Sequence, residues 1–354
     1  MEAASVPAGR PAAPGQAVRD AVSKYGLIVI LLILPVYFAF SDLFSDDENL
    51  SRFGNNLVDG LSNGAIWALV AIGYTLVYGI VELINFAHGE VFMIGSFATA
   101  GFFGFIGLTQ DTSSILIFFG LLVTLVVAMA ASGVLNVMIE RVAYRPLRNA
   151  PKLAPLITAV GMSFILQNVG LLWLGGSPEG IPDLIRSQRE VVDIAGVSIT
   201  RGDVLAIAVT IPLLLVMTAF IARSRLGKAM RATAQDPEAA RLMGINVDTT
   251  ISLTFLLGGI LAGSAGLIYA LYQTTIWYFQ GITAGLVAFT AAVMGGIGNL
   301  QGAVLGGFII GFIQQLSDNR IAPEWTNAIV FGYLILIMVF KPSGLLGEQT
   351  RDAG

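Results

Sequence analysis

Ten apolar runs divide the chain, at 26–44, 57–81, 91–108, 115–139, 154–176, 203–222, 249–272, 283–297, 303–316 and 326–340. A helix needs about 20 residues to cross a hydrocarbon core, and most of the runs reach that length. The runs 283–297 and 303–316 are shorter and are parted only by Gly298-Asn299-Leu300-Gln301-Gly302. The pattern predicts an all-α fold, a polytopic transmembrane helix bundle of eight to ten helices with discontinuous or re-entrant segments. Between the runs, 177–202 reads as a long loop folded over the bundle mouth, with room for a strand pair over Val191–Ile199. The segment 223–248 is the one long charged interruption in the second half, with Arg223, Arg225, Lys228, Arg231 and Arg241 against Asp236, Glu238 and Asp248.

Composition agrees with the pattern. Only 12% of the 354 residues are charged, against about 25% in soluble domains. No second domain and no soluble enzyme module stands out. The membrane-embedded part spans 25–345, between an Ala/Pro/Gly-rich tail at 1–24, expected to be disordered and cytoplasmic, and a short cytoplasmic tail at 346–354. The run 26–44 continues past Pro35 without a small-residue cleavage site, which favours an uncleaved helix over a signal peptide.

Cation placement orients the bundle. With every run a crossing and the N-terminus inside, only Arg52, Arg186, Arg189, Arg201 and Arg320 of the 19 cations fall outside. The positive-inside rule then puts both termini and the 223–248 loop in the cytoplasm. The net charge of −4 gives no hint of nucleic acid.

Several chemistries are missing. There is no cysteine and a single histidine, His88, so no cysteine-based or multi-histidine metal site can form. The one Gly-Lys pair, Gly227-Lys228, is followed by Ala229 and makes no P-loop, and neither G-x-S-x-G nor H-E-x-x-H occurs. No catalytic constellation, metal or cofactor is expected. Proton-coupled carriers generally need titratable groups within the membrane. Only Glu82, His88 and Glu90 approach that role, all in one break between helices.

That break, Glu82-Leu-Ile-Asn-Phe-Ala-His-Gly-Glu90, is the first candidate site. Helix ends meeting there expose unpaired backbone groups that a polar cargo can use. Asn85, His88, Gly89 and Glu90 are its candidate pathway residues, with Glu90 in the first turn of the next helix. The alternative is an ordinary cytoplasmic turn with a capping Glu. Asn299 and Gln301, in the second break, are further pathway candidates amid glycines spaced for close helix packing, such as Gly302/Gly306.

The second candidate is the elbow Asp236–Gly244. Asp236 suits an N-cap, Pro237 the first helical position and Gly244 the position past the end. Glu238, Ala239, Ala240, Arg241, Leu242 and Met243 between them predict about two helical turns, with Glu238 and Arg241 matched to the dipole. Leu242 and Met243 leave an apolar patch, for a partner protein or for lipid headgroups.

Taken together, Asn63-Gly-Ala-Ile-Trp-Ala-Leu69, Ile84-Asn-Phe-Ala-His-Gly-Glu90, Tyr144-Arg-Pro-Leu147, Gly227-Lys-Ala-Met-Arg-Ala-Thr-Ala234, Glu238-Ala-Ala-Arg-Leu-Met-Gly-Ile-Asn246 and Gly295-Gly-Ile-Gly-Asn-Leu-Gln-Gly302 form an ordered set. Over roughly 55–345 the chain resembles the permease subunit of bacterial ABC importers of the branched-chain amino-acid (hydrophobic amino-acid uptake) family. It is more similar to the first of that family's two paired permeases than to the second. The resemblance implies a bacterial inner-membrane protein that forms half of a pore beside a related second permease. Two cytoplasmic ATPases would drive it, and an external solute-binding protein would deliver amino acids, urea or short amides. It also implies that Glu238, Ala239, Ala240 and Gly244 match the E-A-A-x-x-x-G core that docks the ATPase. The downstream Leu-Pro of that signature is absent after Thr249. A stand-alone secondary transporter or channel is the rival reading, and an intramembrane enzyme the third.

Overall fold

The computed structural model describes residues 36–37, 40–41, 49–148, 150–151 and 153–347. The expected tail 1–24, most of the run 26–44 and nearly all of the tail 346–354 lie outside the described residues. Eleven α-helices and four short strands make up the rest. In chain order they are α1 (Asn49–Val81), α2 (His88–Ile106), α3 (Ser114–Ile139), α4 (Leu153–Leu174), β1 (Glu179–Gly180), β2 (Glu190–Ile194) and β3 (Val197–Thr200). Then come α5 (Arg201–Arg223), α6 (Arg225–Gln235), α7 (Pro237–Leu242), α8 (Val247–Gln273), β4 (Thr275–Ile276), α9 (Gln280–Gly295), α10 (Leu300–Arg320) and α11 (Pro323–Phe340). Among the described residues, eight helices are long and apolar enough to cross a membrane. The helix α9 has 16 residues, about 24 Å of rise, and falls short of a hydrocarbon core of about 30 Å.

The bundle is sorted by side-chain size. In the apolar stretches of α1 and α8, 78% of the residues are buried, against 11% in α3. The outer helices expose large apolar side chains, such as Ile115, Leu116 and Phe118 of α3. The inner ones carry glycine and alanine. Lipid is as apolar as leucine, so inner helices associate through close van der Waals approach, which small residues permit. At Gly266 of α8 a Cβ would lie 2.7 Å from the Phe92 carbonyl and the Ser96 amide of α2. At Gly307 of α10 it would lie 2.5 Å from the backbone of Ala68 in α1.

One end of the bundle bears the strands. Ala195 and Gly196 both take left-handed φ, 56° and 81°, the two-residue turn that suits a twisted hairpin. The hairpin is pinned to α1 by Asn55, whose amide donates to Gly196 O and whose carbonyl accepts from Ser198 N. Thr200 and Asp203 then cap α5 reciprocally. The strand pair expected over 191–199 is thus present at 190–200, and β1 pairs with β4 beside it.

The other end bears the elbow. Instead of one short helix, 223–248 holds two, because Ser224 N-caps a further helix, α6, by accepting from Gly227 N at 2.9 Å. Arg231 folds back and donates to the free Ile221 carbonyl at the end of α5, at 2.6 Å. At the same end α9 and α10 meet backbone to backbone, the Gly295 and Gly302 main chains in direct contact. The C-terminal segment straps this corner, with Leu345 N and Leu346 N donating to Met294 O and Gly295 O.

Candidate translocation path and docking elbow

The break between α1 and α2 is an interior feature. Glu82 takes φ 52° at an exposed turn. The chain then climbs back along α1, so that His88 starts α2 against Gly73, where a Cβ would lie 2.9 Å from imidazole Cε1. Asn85, His88 and Glu90 are all within 1% of full burial. The helix therefore restarts three residues before the apolar run at 91, because neighbouring helices cover the polar turn. Asn85 donates to Asn136 Oδ1 of α3 at 3.3 Å and accepts from the Tyr144 hydroxyl at 3.1 Å. Asn136 in turn donates to Phe255 O of α8 at 2.6 Å.

His88 lies 4.7 Å from the Tyr74 ring, edge to face. Neither of its ring nitrogens has a partner in hydrogen-bond geometry, although the Val70 carbonyl approaches the ring. Glu90 accepts from Ser163 at 3.1 Å through Oε1, while its Oε2 is unpaired and faces Gly281 of α9. Gly89 touches Gly281 and Gly285 directly, so α2 begins in backbone contact with α9. Four of the six expected pathway residues, Asn85, His88, Gly89 and Glu90, are thereby gathered in one buried cluster.

The other two are elsewhere. Asn299 N-caps α10 through Gly302 N at 3.0 Å and donates to Leu346 O at 2.8 Å. Gln301 is exposed. Both sit at the elbow end, where Gly298 packs 3.6 Å from the position a Cβ would take at Gly79.

The elbow itself forms as its residue types require. The Asp236 carboxylate accepts from Glu238 N and Ala239 N, both at 2.9 Å, Pro237 opens α7, and Gly244 turns with φ 83°. Ala240 is buried, while Leu242 and Met243 are 89% and 82% exposed. Four residues past Gly244, Asp248 meets Arg145 at 2.9 Å and Arg148 at 2.6 Å. Arg148 also pairs with Glu140, which is fully buried and accepts from Ser252 at 2.6 Å. Glu140–Tyr144 is a π-helical turn ending α3. That turn carries Tyr144 towards Asn85 and Glu140 towards Arg148. Two polar clusters therefore meet at the end of α3, one of Asp248, Arg145, Arg148, Glu140 and Ser252 beside the elbow and one of Tyr144, Asn85 and Asn136 at the helix break, joined through the π-helical turn.

Sequence reasoning noted Tyr144 only as the start of the Tyr144-Arg-Pro-Leu147 segment and did not single out Asn136, Glu140, Arg148, Ser163 or Ser252. The available signal was an Asn, two Ser and a Glu inside otherwise apolar stretches, where an unpaired polar group is costly. It also missed a partly open cavity of about 220 Å³ at the hairpin end, lined by residues of α1, α8, α9 and α10 and by Trp277.

A bundle of membrane-length helices, with one helix restarting in its interior and a capped elbow at one end, is the architecture of a multi-pass membrane protein. Residues 56–339 match the family described as the branched-chain amino acid transport system permease component, and the chain belongs to that family. It is 40% identical to the high-affinity branched-chain amino acid transport system permease protein LivH of Salmonella typhimurium (strain LT2), over 86% of this chain and 99% of the relative. It is 40% identical to the corresponding protein BraD of Pseudomonas aeruginosa, over 84% and 96%. A more distant relative, the autoinducer 2 import system permease protein LsrC of Klebsiella pneumoniae, is 32% identical over 56% of this chain and 57% of its own.

Proposed function

We propose that the chain is one permease half of an ATP-driven importer of branched-chain or other amino acids, set in a bacterial inner membrane with both termini cytoplasmic. A related second permease completes the pore, two separate ATPases supply the energy, and an external binding protein supplies cargo. The region 25–345 acts as one permease domain, without catalytic chemistry of its own. The observation carrying this reading is the pair of polar clusters, Asp248–Arg148–Glu140 beside the elbow and Tyr144–Asn85–Asn136 at the helix break, joined by the π-helical turn at the end of α3. A partner pulling on the exposed Leu242 and Met243 moves α7. The Asp248–Arg145/Arg148 and Glu140–Ser252 contacts transmit that movement to α3 and α8, and through Tyr144 and Asn136 to Asn85. Asn85, His88, Gly89 and Glu90 line the path, with Asn299 and Gln301 at its elbow-end rim.

Branched-chain amino acids are the cargo favoured by the relatives' names; urea or short amides are the alternative. The buried His88 and Glu90 favour one rival, a stand-alone proton-coupled carrier. Leucine uptake into proteoliposomes separates the two. Uptake should require ATP, the ATPases and the binding protein together, and uptake by the purified chain alone would overturn the proposal. Glu238→Lys and Gly244→Pro should each abolish co-purification of the ATPase while leaving membrane insertion intact.

A further inference from the structure

The helices α3 and α8 touch where their residues are small and leave a groove where they are not. Gly259 and Gly263 of α8 lie in direct contact with the backbone of Ser132 and Ala128 of α3. Nearer the elbow the facing residues are larger and border a groove of about 490 Å³. Val134, Val137 and Met138 form one wall, and Leu253 and Leu256 the other. Val134 and Met138 are each 56% exposed, on a helix whose apolar stretch is only 11% buried, so the groove opens sideways towards lipid. Its foot is polar, with Arg141 and Arg145 just past α3 and Asn246 and Thr249 at the start of α8. From Val134 to Arg141 the wall rises about 10 Å.

The charges at the foot do not balance. Asp248 is held by Arg145 and Arg148, and Glu140 by Arg148 and Ser252. Three arginines therefore face two carboxylates, and Arg141 has no acid at ion-pair distance among the described residues. Asn246 uses its side-chain carbonyl to accept from Thr249 N at 3.0 Å, which leaves its amide N–H groups for another acceptor. The start of α8 adds the positive end of a 27-residue helix. A guanidinium recognises phosphate oxygens in pairs. A soluble phosphate would make no use of the apolar walls, and a neighbouring protein helix would have to bring an acid to Arg141. A phospholipid satisfies both halves at once, because basic pockets between membrane helices hold anionic head groups while the tails follow apolar grooves.

We propose that the groove holds a phospholipid with an anionic head group, its phosphate on Arg141 and one acyl chain between the Val134–Met138 and Leu253–Leu256 walls. The inference stands on the membrane bundle alone and needs neither the cargo nor the ATPases. The head group lies beside the Arg145–Asp248 pair, at the footing of the elbow.

The test titrates the detergent-purified complex with phosphatidylglycerol or phosphatidylcholine from mixed micelles and counts bound lipid by native mass spectrometry. The unaltered complex should prefer phosphatidylglycerol about fivefold, as expected of one arginine at a charged membrane surface. Arg141→Ala should remove that preference and leave phosphatidylcholine retention unchanged, and Arg141→Lys should restore it. Val137→Trp, which fills the groove, should weaken both lipids alike. A misfolded variant cannot separate head-group from chain recognition in this way. Glycerol phosphate, a head group without chains, should not compete. The chain has no cysteine, so a photo-crosslinker attached to the Met138→Cys variant reports the occupant directly and should capture phospholipid. The proposal is overturned if the unaltered complex retains neither lipid, or if Arg141→Ala keeps the preference within about twofold of the unaltered value. It is equally overturned if Val137→Trp leaves both lipids bound, if glycerol phosphate displaces phosphatidylglycerol, or if the crosslinker captures a neighbouring subunit instead. None of these measurements depends on uptake, so their failure leaves the permease reading standing, and a failure of ATP-driven uptake leaves the lipid site standing.

Discussion

The chain has two polar breaks in apolar surroundings, 82–87 and 296–299, and they do opposite things. Each places an asparagine between helices, and only the second adds glycines. In the first, Asn85 is bound by the side chains of Asn136 and Tyr144 and is fully enclosed. In the second, Asn299 bonds only to backbone, at Gly302 N and Leu346 O, while Gly296 and Gly298 take φ 111° and 92°. A side-chain network can exchange partners when a helix tilts, whereas a backbone cap has nothing to exchange. The difference teaches that such a break is made mobile or static by what its neighbours present to it. The first break is surrounded by α3, α8 and α9, and the second is strapped by the C-terminal segment.

Substitutions can break this contrast. The largest effect is expected from Gly89→Leu, which drives a side chain into the backbone of α9 and should cost more than about 4 kcal/mol. Gly298→Leu meets open space and should cost about 1–2 kcal/mol of left-handed strain. Thermal melting of the detergent-purified complex compares them, and equal losses would erase the distinction. Next, Arg148→Ala strands the buried Glu140 and should cost about 3 kcal/mol, with rescue by the double variant Arg148→Ala/Glu140→Ala.

Asn85→Leu leaves Asn136 and Tyr144 without their shared partner, at about 2 kcal/mol, and should stop ATP-driven uptake. Asn299→Ala loses one cap, about 1 kcal/mol, and should leave uptake intact. If Asn299→Ala stops uptake while Asn85→Leu does not, the roles assigned to the two breaks are reversed. The smallest effect belongs to Asp248→Asn. Its side chain is 42% exposed, so solvent screens the pair and the cost should stay below about 1 kcal/mol. Its signature should be weaker coupling, with ATPase turnover outlasting uptake.

Local order was legible wherever it depends on neighbours along the chain. Asp236, Pro237 and Gly244 delimit α7 by capping chemistry alone, and nine of the ten apolar runs correspond to helices in the described residues. The helix α6 escaped because its polar sequence has no long apolar run. Its start rests on the Ser224 cap and its seating on the Arg231 bond to the end of α5. The buried candidates Asn85, His88 and Glu90 were visible as polar residues out of place, but their depth was not. For His88 and Glu90 that depth comes from Gly73 and Gly281, which admit these side chains by lacking their own, and for Asn85 from Asn136 and Tyr144. Trp67 and Gln280 read as ordinary members or flanks of apolar runs. Only tertiary placement shows their N–H groups buried and unpaired.

The joined corner of α9 and α10 has a mechanical consequence. Gly295 and Gly302 leave no side chains there to compress, and Leu345 and Leu346 clamp the corner from outside. The far end of α9, with Gln280, borders the cavity. The pair has the geometry of tweezers, fulcrum at the corner and tips at the hairpin end. With an arm of about 24 Å, a tilt of about 5° at the fulcrum carries Gln280 through about 2 Å. That stroke is enough to make or break a hydrogen bond, while the same tilt scarcely displaces Gly295.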